Sequence, residues 1–418
     1  MTAPETGGFW RWLARRISGS AMHERMARLE RALGRFAAAQ RDDASAVRSR
    51  VAKLTSRLEE RRSEIEVRDE LRKLRQSFHT LSDRVARQED PLFGAGRIQL
   101  LHALDAMAAN DRPIIVGPWT GEVGFELLYW IPFVRWARDR FGLPVERLVV
   151  VSRGGVASWY DVPAERYIDI FSLIGADDFR VSTAAQSTLK QRKPGALDER
   201  ILAAAKQRLG ITTADVLHPS RMFKAFAHFW EGYAGHERLD AYSRYTLLTP
   251  PVSDRPPGLP SEYIAVRFYF RRSFPDKPQN RAFAHAVIAA LAERSPVVVL
   301  ASGARVDDHA DLVPPSTRGV TIFAAPDLER NLAVQSAVLG GARAFVGTYG
   351  GYSYLAPLYG VPTVAFHSRR GFDLTHLYVA QRAFVQAGAA PLTVVDVSQA
   401  ALVQSALASV GAPVSTVP

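Results

Sequence analysis

Between Met22 and Val85 the apolar residues keep a three–four spacing; beyond Pro91 they fall into short β-branched runs alternating with amphipathic stretches. The first stretch reads Met22, Met26, Leu29, Leu33, Phe36, then passes through Gln40 and Asp43 to Val47, Val51, Leu54, Leu58 and Ile65. A second run, Val67, Leu71, Leu74, Phe78, Leu81 and Val85, keeps the spacing but slips by one residue. Such a seam predicts an α-helical coiled coil over residues 21–90, about 100 Å long. The alternative is a long helix packed on its own globular domain, or one only partly ordered. The coiled-coil reading implies a homo-oligomer.

From residue 91 the alternation predicts a doubly wound α/β architecture. The expected strands of the first half are Pro113–Gly117, Arg147–Arg153, Phe179–Ser182 and Ala214–His218, with helices over Glu122–Phe141, Pro163–Ile174 and Leu197–Leu209. The run from Pro250 to Gly258 is proline-rich and reads as a linker. Strands are expected again over Tyr263–Phe270, Pro296–Ser302, Gly319–Ala325, Ala344–Tyr349, Pro362–Ser368 and Leu392–Val397. The fold class expected is therefore α/β, with Rossmann-like domains at 91–250 and 259–418, a linker at 251–258 and the N-terminal coiled coil ahead of them. A ligand would bind at the carboxyl ends of the strands.

Composition narrows the class. The chain has 418 residues, no Cys and a formal net charge of +11. Without cysteine there is no disulfide framework, thiolate zinc site or cysteine nucleophile. Residues 11–90 carry +7, residues 91–418 carry +5 and Glu5 supplies the remaining −1, so the excess charge concentrates in the coiled-coil segment. No nucleic-acid reader motif accompanies it, and no nucleic-acid partner is expected. No apolar run approaches the roughly 18 residues of a spanning helix, and nothing resembles a signal peptide. A cytoplasmic protein is expected. Phe9, Trp10, Arg11, Trp12, Leu13, Arg15, Arg16 and Ile17 suit an anionic bilayer surface, so residues 1–20 are read as a tip touching the inner face of the cell membrane, or else as a frayed terminus or a packing contact within an oligomer.

The chemistry is carried by loops after strands. Residues 342–368 read ARAFVGTYGGYSYLAPLYGVPTVAFHS. Gly350 and Gly351 let backbone approach a bulky anion, and the start of the helix Tyr352–Tyr359 offers N–H groups and a positive dipole. Thr348 and Ser353 can add hydroxyl donors. The alternative is a glycine turn serving helix packing.

This segment resembles the donor site of the glycosyltransferase-B superfamily, particularly the lipopolysaccharide heptosyltransferase type. The matching residues are Gly347, Thr348, Gly350, Gly351, Ser353, Leu355, Ala356, Gly360, Val361 and Pro362, with Asn331, Leu332, Ser336, Ala337 and Leu339 upstream. The close resemblance covers about 40 residues. Where such enzymes usually carry an Asp near the loop start, this chain has Thr348–Tyr349. The resemblance implies a nucleotide-sugar donor bound at Thr348, Gly350, Gly351, Tyr352 and Ser353, with a glycan or protein acceptor. Related folds occur in sugar epimerases and polysaccharide pyruvyl transferases.

In the run YIAVRFYFRRSFPDKPQN from Tyr263, Arg267 and Arg271 resemble the basic residues that bind the diphosphate in fucosyltransferase-like and heptosyltransferase-like enzymes. A guanidinium fork stabilises a leaving diphosphate without a metal. Strand alternation puts Arg267 and Arg271 on one face and Arg272 on the other. The alternative is solvated surface arginines.

In the first half, the loop from Gly117 to Gly124 contains Gly121 and Gly124 and is expected to face the cleft. Its Glu122 is read either as a general base for the acceptor hydroxyl or as a helix-start acid. Glu126 is either buried and paired or a second helix-start carboxylate. Arg153 follows the second strand. His218, at the end of the fourth, is a second candidate base or a cap for the next helix. Asp161 is a third. There is no Asp-x-Asp, Walker loop, Gly-x-Ser-x-Gly or His-Glu-x-x-His, and no metal or resident cofactor is expected. The expected activity is a metal-independent glycosyltransferase in surface polysaccharide or glycoconjugate synthesis. Epimerisation, pyruvyl transfer and a catalytically silent coiled-coil adaptor are the alternatives.

Overall fold

The computed structural model describes residues 91–184, 191–232, 234–301, 310–315, 317–324, 327–368 and 374–410. The coiled-coil segment 21–90 and the tip 1–20 lie outside the described residues. Helix α1 (Pro91–Ala108) opens the described part. Contacts divide the chain into two compact units, one of them formed by residues 102–223 and 242–418. In the other, the described residues are 91–101 and the stretch up to Ala241 that begins at Lys224.

Four parallel strands form the first sheet: β1 (Ile114–Val116), β2 (Leu148–Ser152), β3 (Tyr167–Asp169) and β4 (Asp215–Leu217), in the order β3-β2-β1-β4. After β1 the chain runs through α2 (Val123–Phe125), a π-helical turn (Glu126–Trp130) and α3 (Ile131–Phe141). α3 stops at Gly142, which takes the left-handed conformation at φ 60°. Helices α4 (Ala176–Ala184) and α5 (Ala196–Leu209) separate β3 from β4. α6 (Pro219–Ala225) leads to the short helices α7 (Ala227–Trp230) and α8 (Glu237–Asp240).

The second sheet contains β5 (Ile264–Arg267), β7 (Val297–Ala301), β9 (Val320–Ala324), β10 (Ala344–Thr348), β11 (Thr363–His367) and β12 (Leu392–Asp396). β6 (Tyr269–Phe270) and β8 (Ala310–Asp311) form a separate antiparallel pair. The six strands run in the order β12-β11-β10-β5-β7-β9, all parallel. Counted within the sheet this is 3-2-1-4-5-6 read from the β9 edge, the doubly wound order, and the first sheet repeats its 3-2-1-4 part. The linking helices are α9 (Pro278–Ala292), α10 (Asn331–Gly340), α11 (Gly351–Leu358), α12 (Leu374–Ala387) and α13 (Ala400–Ser409). β5, β7, β10 and β11 are buried throughout, which explains their nearly unbroken apolar sequences. Phe268, Phe274 and Phe366 join Val266, Val299 and Ile288 in the core of this lobe.

The α/β class and the parallel sheets agree with the sequence reading, and ten of the strands lie where it expects them, within one to three residues, or within a single expected run. Three details differ. Phe179–Ser182 is helical, within α4, because Asp177 and Asp178 open a helical first turn and Phe179 is the residue the helix buries. Pro163–Ile174 is not a helix: it holds β3 between the 3₁₀ turns Ala164–Arg166 and Ile170–Ser172. The single strand expected over Tyr263–Phe270 breaks at Phe268, so β6 leaves the large sheet to pair with β8.

No helix among the described residues is long and apolar enough to cross a membrane.

Candidate functional site

In each sheet the strand order reverses between the first and fourth strands, and the loops leaving those strands carry the residues singled out in the sequence. In the second lobe these strands are β5 and β10, which pair Arg267 directly with Gly347. In the first lobe they are β1 and β4, which lead into the loop 117–122 and into His218. A crevice at this reversal is where ligands bind in doubly wound sheets.

Arg267 ends β5 with its side chain 10% exposed. Its Nε and Nη2 atoms both donate to Asp311 Oδ1 at 3.1 Å, and its guanidinium carbon lies 4.1 Å from the centre of the Tyr352 ring. Burial opposes the charge, but Tyr352 and Asp311 outweigh it and hold the guanidinium pKa above its ordinary value. Asp311 was not singled out in the sequence; it sits on a two-residue strand 44 positions away.

The Gly350–Gly351 segment is in close contact on both sides. A Cβ on Gly350 would fall 1.8 Å from the Tyr269 hydroxyl oxygen. One on Gly351 would lie 3.2 Å from both the Gly124 nitrogen and Val123 Cβ. Gly350 therefore admits the Tyr269 hydroxyl, and Gly351 lets the Val123–Gly124 loop approach. Ser353 Oγ donates to Gly350 O at 2.7 Å and accepts from Gly350 N at 3.0 Å. Thr348 Oγ1 donates to Tyr269 O and accepts from Tyr269 N. Both residues are fully buried, and their hydroxyls bind backbone. Tyr352 donates its hydroxyl to Gln335 Oε1 at 2.9 Å while its ring faces Arg267.

Arg271 follows β6 and is half-buried; its Nη2 atom donates to Glu122 Oε1 at 2.8 Å. The pair joins a second-lobe arginine to the first-lobe glycine loop, 149 positions away. Because the strand breaks at Phe268, strict alternation does not extend from Arg267 to Arg271. Arg272 is exposed. Glu122 stands at the N-cap of α2 without a side-chain cap bond, so its carboxylate serves Arg271 and not its own helix.

Four residues on, Glu126 is fully buried in the π-helical turn. Ser152 Oγ and Tyr160 OH donate to its Oε1 at 2.6 and 2.5 Å, and its Oε2 has no hydrogen-bond partner among the described residues. Burial pushes its pKa up to about 7. Asp169, at the end of β3, is likewise pushed up to about 7 by burial, although Phe171 N and Gly155 N donate to it. Asp161 forms an ion pair with buried Arg135 at 2.9 Å. Arg153 is buried and donates to Gly121 O at 2.8 Å, which brings these two cleft-loop residues together.

His218 is buried, and its Nδ1 accepts from Ser220 N at 3.1 Å, the backbone cap at the start of α6. Its Nε2 faces Asp198 Oδ2 at 3.5 Å. Asp198 in turn accepts from Gln191 Nε2 and Gly195 N, and Gln191 also bonds Thr120 N and Pro118 O. Both ring nitrogens thus face inward, which is the geometry of the helix-cap alternative.

Further contacts join the lobes. Tyr129 OH lies 2.7 Å from His376 Nδ1, and the rings of Phe125 and His376 meet edge to face at 4.8 Å. Trp159 Nε1 donates to Tyr359 OH at 2.7 Å. Ala333 N donates to Gly154 O at 2.7 Å, where Gly154, at φ 78°, leaves no room beside Leu332 for a side chain. Asp311 and Tyr269, partners within the second lobe, and His376, which meets the first lobe, carry no local sequence signal. Among the described residues no group of three or more His, Asp or Glu is placed to hold a metal ion.

No family model matches the chain, and no curated protein matches it.

Proposed function

We propose that the chain is a nucleotide-sugar-dependent glycosyltransferase of the two-domain B type, acting on a hydroxyl of a glycan or protein acceptor. The observation that carries this reading is the meeting of loops from the two sheets: Arg271 bonds Glu122, and Gly351 packs against Val123 and Gly124. In this reading the donor diphosphate lies against Arg271 at the start of α11, and Arg267 sets the charge and shape of the wall behind it. The first lobe brings the acceptor, with Glu122 as its base. His218 has a positioning role, holding the start of α6 and the loop of Thr120 through Asp198 and Gln191. A cytoplasmic enzyme of surface polysaccharide synthesis, assembled through its N-terminal segment and touching the membrane there, fits this activity.

The experiment is a thermal-shift and calorimetry screen of the full chain with UDP, GDP, ADP, TDP and CMP and their sugars. Saturable stabilisation by one nucleotide, followed by its release on adding an acceptor, is the expected result. One set of observations favours a second reading, a non-catalytic binding body: Thr348, Ser353 and Arg267 direct their polar atoms at the protein itself. Absence of any nucleotide effect in the screen would favour that reading over the first.

A further inference from the structure

Two cations and two anions gather where β5 and β6 end. The Tyr269 hydroxyl lies in the field of Arg267, Arg271, Glu122 and Asp311. The four groups form two pairs of different character. Arg267 and Asp311 are 10% and 7% exposed, held by two nitrogen contacts and the Tyr352 ring. Arg271 and Glu122 are 29% and 37% exposed, and the described bond between them is the single Nη2–Oε1 contact. A buried, forked pair is costly to break, whereas a half-exposed pair is worth little. Arg271 is therefore the arginine able to change partners.

Its described partner Glu122 resembles a substrate in charge. The Glu122 carboxylate is an anion presented to a second-lobe arginine, and the next two residues, Val123 and Gly124, close over Gly351 at the start of α11. We propose that Glu122 is an internal stand-in for the donor diphosphate, so that donor binding and release of the base are one event. The inference rests on the nucleotide-sugar reading of this cleft. A diphosphate presents several oxygens and more charge than a carboxylate, and it takes the guanidinium fork from Glu122. Glu122 Oε1, no longer occupied, then accepts the proton of the acceptor hydroxyl. The acceptor oxygen bonds to the anomeric carbon as the bond from that carbon to the phosphate oxygen breaks. The electron pair leaves on the nucleoside diphosphate, whose charge Arg271 faces. Until a donor arrives, the base is held and the cleft is closed by its own acid.

The test uses full-length wild type, E122Q, R271A and the charge-reversed double variant E122R/R271E. Hydrogen exchange without ligand reads the latch alone. Amides at 121–125 and 350–354 should exchange faster in E122Q and R271A and recover in the double variant. Unchanged exchange in both single variants overturns the latch whatever the protein binds. Calorimetry with the nucleoside diphosphate that binds wild type reads the competition. E122Q should bind it about two- to fivefold tighter, the factor expected for releasing a half-exposed ion pair, and R271A should bind it more weakly. Equal or weaker binding by E122Q overturns the stand-in role while leaving a nucleotide site intact. If no nucleoside diphosphate binds wild type or E122Q, the nucleotide reading fails, and the stand-in role fails with it even where exchange shows the latch.

Discussion

Arg267 and Asp311, 44 residues apart, form a two-nitrogen ion pair under the ring of Tyr352 at the point where the order of the larger sheet reverses. Removing one member leaves the other charged and shielded from water. R267M is expected to lower unfolding free energy by about 3–5 kcal/mol, the cost of orphaning a buried charge. R267K, which keeps the charge but loses the fork, should lose less. Urea titrations with an unchanged m-value would measure both.

Gly350 is excluded from bearing a side chain by its neighbour, not by its backbone, which is extended at φ 162°. G350A should therefore destabilise the protein, and Y269F, by removing the oxygen that a Cβ would strike, should recover part of the loss. A double-mutant cycle would report a coupling of about 1–3 kcal/mol. Strict additivity would show that Gly350 is required for another reason.

Glu126 makes stability depend on pH in a calculable direction. Its folded pKa of about 7 exceeds its ordinary value of 4.5, so the folded chain holds the proton more tightly than the unfolded chain. Its stabilising contribution is full below about pH 4.5 and is lost as pH rises through about 7. E126Q should flatten that decline, with a difference from wild type that changes by on the order of 2–3 kcal/mol across the interval. Denaturation at pH 5 and pH 8 tests the sign: a wild-type advantage that grows with pH would contradict it.

His218 acts as a cap if its inward-facing geometry governs. H218A should cost about 1–2 kcal/mol by leaving Ser220 N without its acceptor. H218N, whose amide oxygen can replace Nδ1 as acceptor, should recover part of this. In a transferase assay at saturating donor, H218N should keep kcat within about tenfold of wild type, because a directly acting base contributes about 10²–10⁴-fold. A larger fall in kcat with intact folding would make His218 the base.

The sequence patterns that specify this fold are mostly those of buried parallel strands. Val297–Ala301 and Thr363–His367 announce themselves because both faces are covered and almost every position is apolar. β3 gives no such signal: it has three residues, one of them Asp169, between two 3₁₀ turns. The glycine and arginine loops were legible as unusual local chemistry. The pairings were not, since Glu122 meets Arg271 across 149 residues and Tyr129 meets His376 across 247. Neither pair leaves a periodic trace. The π-helical turn is equally silent, because widening one turn of a helix changes no residue type; it shows in the structure as a buried acid where an amphipathic helix would place an apolar residue.

The lobes are held by bonds that respond differently to salt. Ala333 N to Gly154 O is a bond between neutral backbone groups, whereas Arg271 to Glu122 is a half-exposed contact between charges. Ionic strength screens the second and barely touches the first. Raising salt should therefore make the cleft yawn from one side, with Gly154 as its fulcrum, and not drive the lobes apart as a whole.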